Sequence, residues 1–166
     1  QSGTSHNFGT GFAKAFDMRV VAFDPLLDND EITRRGANPA TYDELLQQAD
    51  IITLHIPLTA DSRNLINAEA VAKMKDGVRI VCAARGGVID EEALLQGLES
   101  NKIAGVALDV FTAEPPGMTA LVEHPRVIGT PHIGAQTAEA QERAAVDIAT
   151  EVLAALESQP LRWKVA

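Results

Sequence analysis

Several polar side chains stand at the ends of short apolar runs, and they are the kinds that handle protons and carboxylates. They are Asp24 after "MRVVAF", His55 near the end of "DIITLHI", Arg85 after "VRIVCAA", Asp109 with Glu114 around the end of "IAGVALDVF", and His132 closing "RVIGTPH". A histidine titrates near neutrality and can pass a proton there. A carboxylate beside it favours the charged imidazolium. An arginine offers a planar two-pronged fork suited to another carboxylate. Each residue also has a plain reading. A strand-end histidine can be a hydrogen-bonded loop residue, and an arginine before Gly-Gly can pair with a surface acid. The glutamate before Pro115-Pro116 can be a solvated loop charge, and Asp24-Pro25 can simply start a turn. In parallel sheets, however, ligands sit at the carboxyl ends of the strands. Polar groups arriving at the same end of successive strands therefore point to an active site.

The elements that must position these residues follow from hydrophobic pattern and capping. Short apolar runs alternate with helical patterns, which predicts an α/β fold, a Rossmann-like doubly wound parallel sheet. Strands are expected over Met18–Phe23, Asp50–Ile56, Val78–Ala84, Ile103–Phe111 and Arg126–His132. "TYDELLQQA" reads as a short helix with Thr41 and Glu44 forming a capping box. Asn67 caps a helix that ends near Gly77, and Asp90 caps "DEEALLQGLESN". A long alanine-rich helix is expected from Thr137 to Ser158. A Rossmann unit begins with a strand before its first glycine turn. None precedes Gln1, so the sheet is expected to lack or replace its first strand.

Composition bounds the class. The chain has 166 residues, 46% of them hydrophobic, enough for one folded domain. A formal net charge of −9 argues against nucleic acid or an anionic membrane surface as partner. The single cysteine, Cys82, permits no disulfide within one chain and favours a reducing, cytoplasmic setting. On its strand, Cys82 reads as a buried, inert thiol. No metal-ligand spacing is evident.

Taken together, "HIPLTADSRNLINAEAVAKMKDGVRIVCAARGGVIDEEALLQGL", "GVALDVFTAEPP" and "VIGTPHIGAQT" resemble the D-isomer-specific 2-hydroxyacid dehydrogenases, whose members include phosphoglycerate dehydrogenases and hydroxypyruvate reductases. The resemblance runs from about Phe12 to the end and implies the NAD-binding domain of that family. It implies hydride transfer between NAD and a small 2-hydroxy or 2-keto acid. Arg85 then corresponds to the residue holding the substrate carboxylate, Glu114 to the acid paired with the histidine, and His132 to the general acid/base. Asp24 matches the acid on the adenosine ribose, favouring NAD over NADP. His55 and Pro57 match the loop bordering the adenine side, and Asp109 the residue near the nicotinamide carboxamide. Ala84 and Gly134 fall in the same cofactor-lining motifs.

Two departures accompany the resemblance. The alignment puts Gln1, Gly3 and His6 at the three fingerprint positions, where the family has glycines. A histidine at the third cannot allow close helix–strand packing without moving the backbone. Gly9 and Gly11 fall inside the expected first helix, each costing about 0.8–1 kcal/mol relative to alanine. Gln1-Ser2-Gly3 also has the look of a cleaved-tag remnant. The second departure is domain content: residues 1–166 read as one NAD-binding domain with a C-terminal helix, and the family's separate flavodoxin-like substrate domain has no counterpart. Little turnover by the chain alone is expected, and the apolar face of the last helix is expected to seek a second copy, giving a homodimer. A catalytically inactive, self-associating remnant that binds NAD weakly or not at all is the alternative.

Overall fold

The computed structural model describes Gly11 and residues 13–162. The expected fingerprint positions Gln1, Gly3 and His6, and Gly9 in the expected first helix, lie outside the described residues. Gly11 and residues 13–15 are helical. That turn ends with Asp17 at φ 54°, where Met18 and Asp17 donate their amides to the carbonyls of Ala13 and Lys14. This is the paired-bond stop that a left-handed residue makes possible.

The strand expected over Met18–Phe23 is only β1, Val21–Ala22, and it pairs in parallel with β2, Asn38–Pro39. Pro39 has no N–H to donate, so the ladder runs through Asn38 to Val20 and Ala40 to Ala22, and no further. Between them lies a helix the hydrophobic pattern does not announce, α1, Asn29–Arg34. Asp28 caps it and Asp30 and Glu31 fill its first turn, but Ile32 is its one buried residue. A six-residue polar helix leaves almost no periodic signal. The capping box is present at α2, Tyr42–Gln48, where Thr41 and Glu44 satisfy each other's backbone amides. Those bonds hold the Glu44 carboxyl below its ordinary pKa.

The main sheet has four parallel strands: β3, Ile51–Leu54; β4, Val78–Cys82; β5, Ile103–Leu108; and β6, Val127–Gly129. They lie in the order β3-β4-β5-β6, with Leu54, Cys82, Leu108 and Gly129 in register across their carboxyl ends. The crossovers carry α3, Ala68–Lys73, capped by Asn67, and α4, Glu91–Glu99, capped by Asp90. Alternate residues Val78, Ile80 and Cys82 of β4 are buried, and with Leu46, Ile66, Leu94, Leu98 and Ile103 they form one core. Fully burying each large aliphatic side chain contributes about 1.5–3 kcal/mol. Gly97 lets α4 approach β5 closely, because a Cβ there would lie 2.5 Å from the Ile103 side chain.

All four strands are shorter than their apolar runs. Val110 and Phe111 are buried yet lie beyond β5, so burial continues where pairing stops. Pro57 and Pro131 cut the expected Asp50–Ile56 and Arg126–His132 strands in the same way that Pro39 limits β2. The opposite face of the sheet leaves Ile51, Val81 and Ile128 exposed, at 45%, 39% and 71% of their surface. Among the described residues no ladder joins β1 to β3, so the parallel sheet is in two parts.

The described residues up to Pro131 form one compact unit and those from His132 onward a second. The second consists of the turn from His132 and the helix α5, Ala138–Leu156, which is capped by Thr137. It closes at Ser158, φ 55°, with Gln159 and Ser158 bonded back to Ala154 and Ala155. None of its residues is buried. No described helix is long and apolar enough to cross a membrane, and no described cluster of three or more metal-ligating side chains occurs.

Candidate active site at the carboxyl ends of the strands

Each expected site residue in the first unit lies just beyond the carboxyl end of a strand. Asp24 follows β1, and its Oδ1 accepts the amide of Leu26 at 2.9 Å. It therefore does start a turn, as its Asp-Pro dipeptide suggested, with one carboxylate oxygen engaged in doing so. His55 follows β3, with Nε2 2.9 Å from the Thr53 hydroxyl. The Pro57 carbonyl accepts a hydrogen bond from the Ser62 hydroxyl at 2.7 Å, closing the loop after β3 on itself.

The loops after β4 and β5 are joined. Asp109 donates its amide to the Cys82 carbonyl at 2.9 Å, carrying the β4–β5 ladder one step past the strands. Two residues later the β5 loop reaches the Arg85-Gly86-Gly87 turn. A Cβ on Gly86 would sit 1.9 Å from the Phe111 carbonyl oxygen. Backbone cannot yield as a flexible side-chain end would, so this position requires glycine. Gly87 takes φ 83° in the same turn. Glu114 closes its own loop, its Oε1 accepting the Phe111 amide at 3.1 Å. The Asp109 carboxylate accepts the Thr130 hydroxyl, tying the β5 end to the β6 end.

Beneath this turn lies Cys82, buried as expected. Burial pushes its thiol pKa up, opposed by hydrogen bonds from the Ala84 and Arg85 amides. The sulfur thus backs the turn that presents Arg85, and it stays protonated rather than reactive. Ala84 is buried, and its carbonyl accepts Arg85 Nη1 at 2.6 Å.

His132 and Gly134 belong to the second unit. His132 holds φ 54°, a left-handed backbone uncommon for residues other than glycine, though histidine adopts it more readily than most. The turn continues with Gln136 bonded to the Ile133 carbonyl. The structure thus places Ala84, Arg85, Asp109 and Glu114 on two interlocked loops, with Asp24, His55 and Pro57 on separate loops at the same strand ends.

Sequence reasoning overlooked Glu91 and Thr130. Glu91 reads as an ordinary first-turn helix acid, yet its Oε1 accepts the Thr112 amide at 2.6 Å. A groove of about 770 Å³ lies elsewhere, between α3 and α4. Its polar lining includes Asp76 and Lys102, which precede β4 and β5, so it opens at the amino ends of the strands.

A parallel sheet whose carboxyl-end loops carry these side chains is a Rossmann-like α/β domain. Residues 10–134 match the family described as D-isomer specific 2-hydroxyacid dehydrogenase, NAD binding domain. The chain is 52% identical over 141 residues to D-3-phosphoglycerate dehydrogenase of Bacillus subtilis, a match covering 85% of this chain and 27% of that protein. It is 43% identical over 155 residues to hydroxypyruvate reductase of Thermotoga maritima, covering 88% of this chain and 49% of that protein. Among solved structures, D-lactate dehydrogenase of Aquifex aeolicus complexed with NAD and lactic acid superposes with a TM-score of 0.81 at 31% identity. That match covers 90% of this chain and 49% of the other. The chain belongs to the D-isomer-specific 2-hydroxyacid dehydrogenase family, within its NAD-binding domain. It spans about a quarter of the matched phosphoglycerate dehydrogenase and about half of the reductase.

Proposed function

We propose that this chain is the NAD-binding, acid–base half of an enzyme that interconverts a 2-keto acid and a D-2-hydroxy acid. The observation that carries the reading is the seating of the Glu114 loop on the Arg85-Gly86 turn, where a Cβ at Gly86 would meet Phe111 backbone. Arg85 holds the substrate carboxylate through its planar fork. His132 gives its proton to the oxygen that becomes the hydroxyl, and Glu114 favours the imidazolium that can do so.

The residues present fit NAD. The half-buried Asp24 carboxylate ends β1, where ribose hydroxyls bind in sheets of this kind. The His55–Pro57 loop borders the adenine, and Ala84, Asp109 and Gly134 line the nicotinamide end. When bound, the cofactor supplies or receives the hydride. NAD binding by residues 1–166 alone is weak, because two of the three fingerprint positions, Gln1 and His6, carry side chains. The partner of the exposed apolar side chains on α5 is a second copy of the chain, giving a homodimer, and the location is cytoplasmic. The inactive alternative has no supporting observation.

The test is NADH oxidation by the full-length gene product with glyoxylate, hydroxypyruvate and pyruvate. Turnover that is lost in His132→Asn, with KM raised in Arg85→Ala, is expected; residues 1–166 alone give little or none. Absence of turnover by the full-length protein with any 2-keto acid refutes the reading. Light scattering that gives a monomer at high concentration refutes the dimer.

A further inference from the structure

We propose that Glu91 is the positioning residue of the loop that carries Glu114, a role that rests on the catalytic reading above. Two consecutive amides of that loop are capped by two carboxylates. Phe111 N–H is bonded to Glu114 Oε1 within the loop at 3.1 Å, and Thr112 N–H is bonded to Glu91 Oε1 at 2.6 Å. The first bond only folds the loop on itself. The second ties it to the first residue of α4, six positions beyond Arg85 on the same β4–α4 connection.

Glu91 is placed to do this because α4 is anchored at its start and along its buried face. Its Asp90 cap accepts the amides of Glu92 and Ala93, and Ala93, Leu94, Gly97 and Leu98 are buried behind it. The loop is therefore pinned at three points along its length. Asp109 N–H bonds to Cys82, the Phe111 carbonyl rests against Gly86, and Thr112 N–H bonds to Glu91. The Glu91 bond is the last of these before Glu114, so it fixes where the catalytic carboxylate leaves the scaffold. The neighbouring Glu92 shares the helix dipole environment, but its carboxylate accepts Gln96 one turn along α4 instead. It supplies the control.

Glu91→Ala, Glu91→Gln and Glu92→Ala separate positioning from general helix stability. In residues 1–166, amide hydrogen exchange at Phe111 and Thr112 is expected to accelerate about tenfold in E91A, with no such change in E92A. E91Q keeps an oxygen acceptor and restores the protection. In the full-length gene product, E91A lowers kcat about tenfold with KM within about twofold, because the loop carries Glu114 and not Arg85, the residue proposed to hold the substrate carboxylate. E91Q recovers the rate. Unchanged exchange at Thr112 in E91A overturns the proposal, as does equal loss in E91A and E92A. If the wild type turns over no 2-keto acid, the functional reading fails by that result, and the exchange measurement decides the tether separately.

Discussion

Helices α4 and α5 were both legible in the sequence, yet they end in opposite situations. The nine residues of α4 include four that are buried, whereas the nineteen of α5 include none. Ile148, Val152 and Leu156 follow one another at four-residue steps along α5, and all are more than half exposed. Hydrophobic periodicity thus states which face a helix can bury, not that its cover lies in the same stretch of chain. For α4 the cover is β5, a crossover away in sequence; for α5 it must come from beyond the helix itself.

The strongest way to break this contrast is paired truncation. Leu98→Ala in α4 is expected to cost about 2–5 kcal/mol in urea unfolding. Val152→Ala in α5 should change stability by less than about 0.5 kcal/mol at concentrations where the chain is monomeric. A Val152→Ala cost that grows with protein concentration would identify a second copy as the cover. Next in size is Gly86→Ala, for which overpacking against Phe111 backbone costs about 1–3 kcal/mol. Its unfolding midpoint should fall without a change in m-value.

Capping sharpens the same comparison at a smaller scale. Asn67 caps α3 by accepting the Ala70 amide, and Thr137 caps α5 by accepting that of Ala140. Asn67→Ala should lower global stability by about 1 kcal/mol. Thr137→Ala should instead raise exchange at the start of α5 and leave the global transition in place. The smallest effect concerns Tyr42, whose hydroxyl donates to the Leu65 carbonyl at 2.6 Å. Burial, reinforced by Asp43, raises its pKa from 10.0 to about 12. A folded-state value above the unfolded one stabilises the fold below pH 10, and that contribution is lost as pH rises toward 12. Tyr42→Phe should flatten the alkaline limb in denaturant midpoints over that range.

The parts of the fold that could be read from the sequence were those with strong local chemistry. Thr41, Asn67 and Asp90 all cap the helices they were expected to cap, and the long helix starts at Thr137 where it was expected to start. Strand ends were overread because apolar runs report burial, and Val110 and Phe111 remain buried after pairing stops. Helix α1 went unread because Ile32 alone among its residues is buried. In the site, the placement of Arg85, Asp109 and Glu114 at strand ends followed from pattern. The role of Glu91 did not, because its partner Thr112 lies 21 residues away and nothing local distinguishes it from Glu92.

Among the described residues β3 is paired on one side only, with a consequence for how residues 1–166 behave in the tube. An edge strand presents a row of backbone donors and acceptors that another molecule's strand can extend. The formal charge of −9 opposes such encounters by mutual repulsion. Salt shortens the reach of that repulsion from about 10 Å at 0.1 M to about 3 Å at 1 M. Mild acid removes it by protonating carboxylates. Colloidal stability should therefore be greatest near neutral pH in dilute buffer, and salting or acidifying a concentrated stock should start strand-to-strand association at the β3 edge.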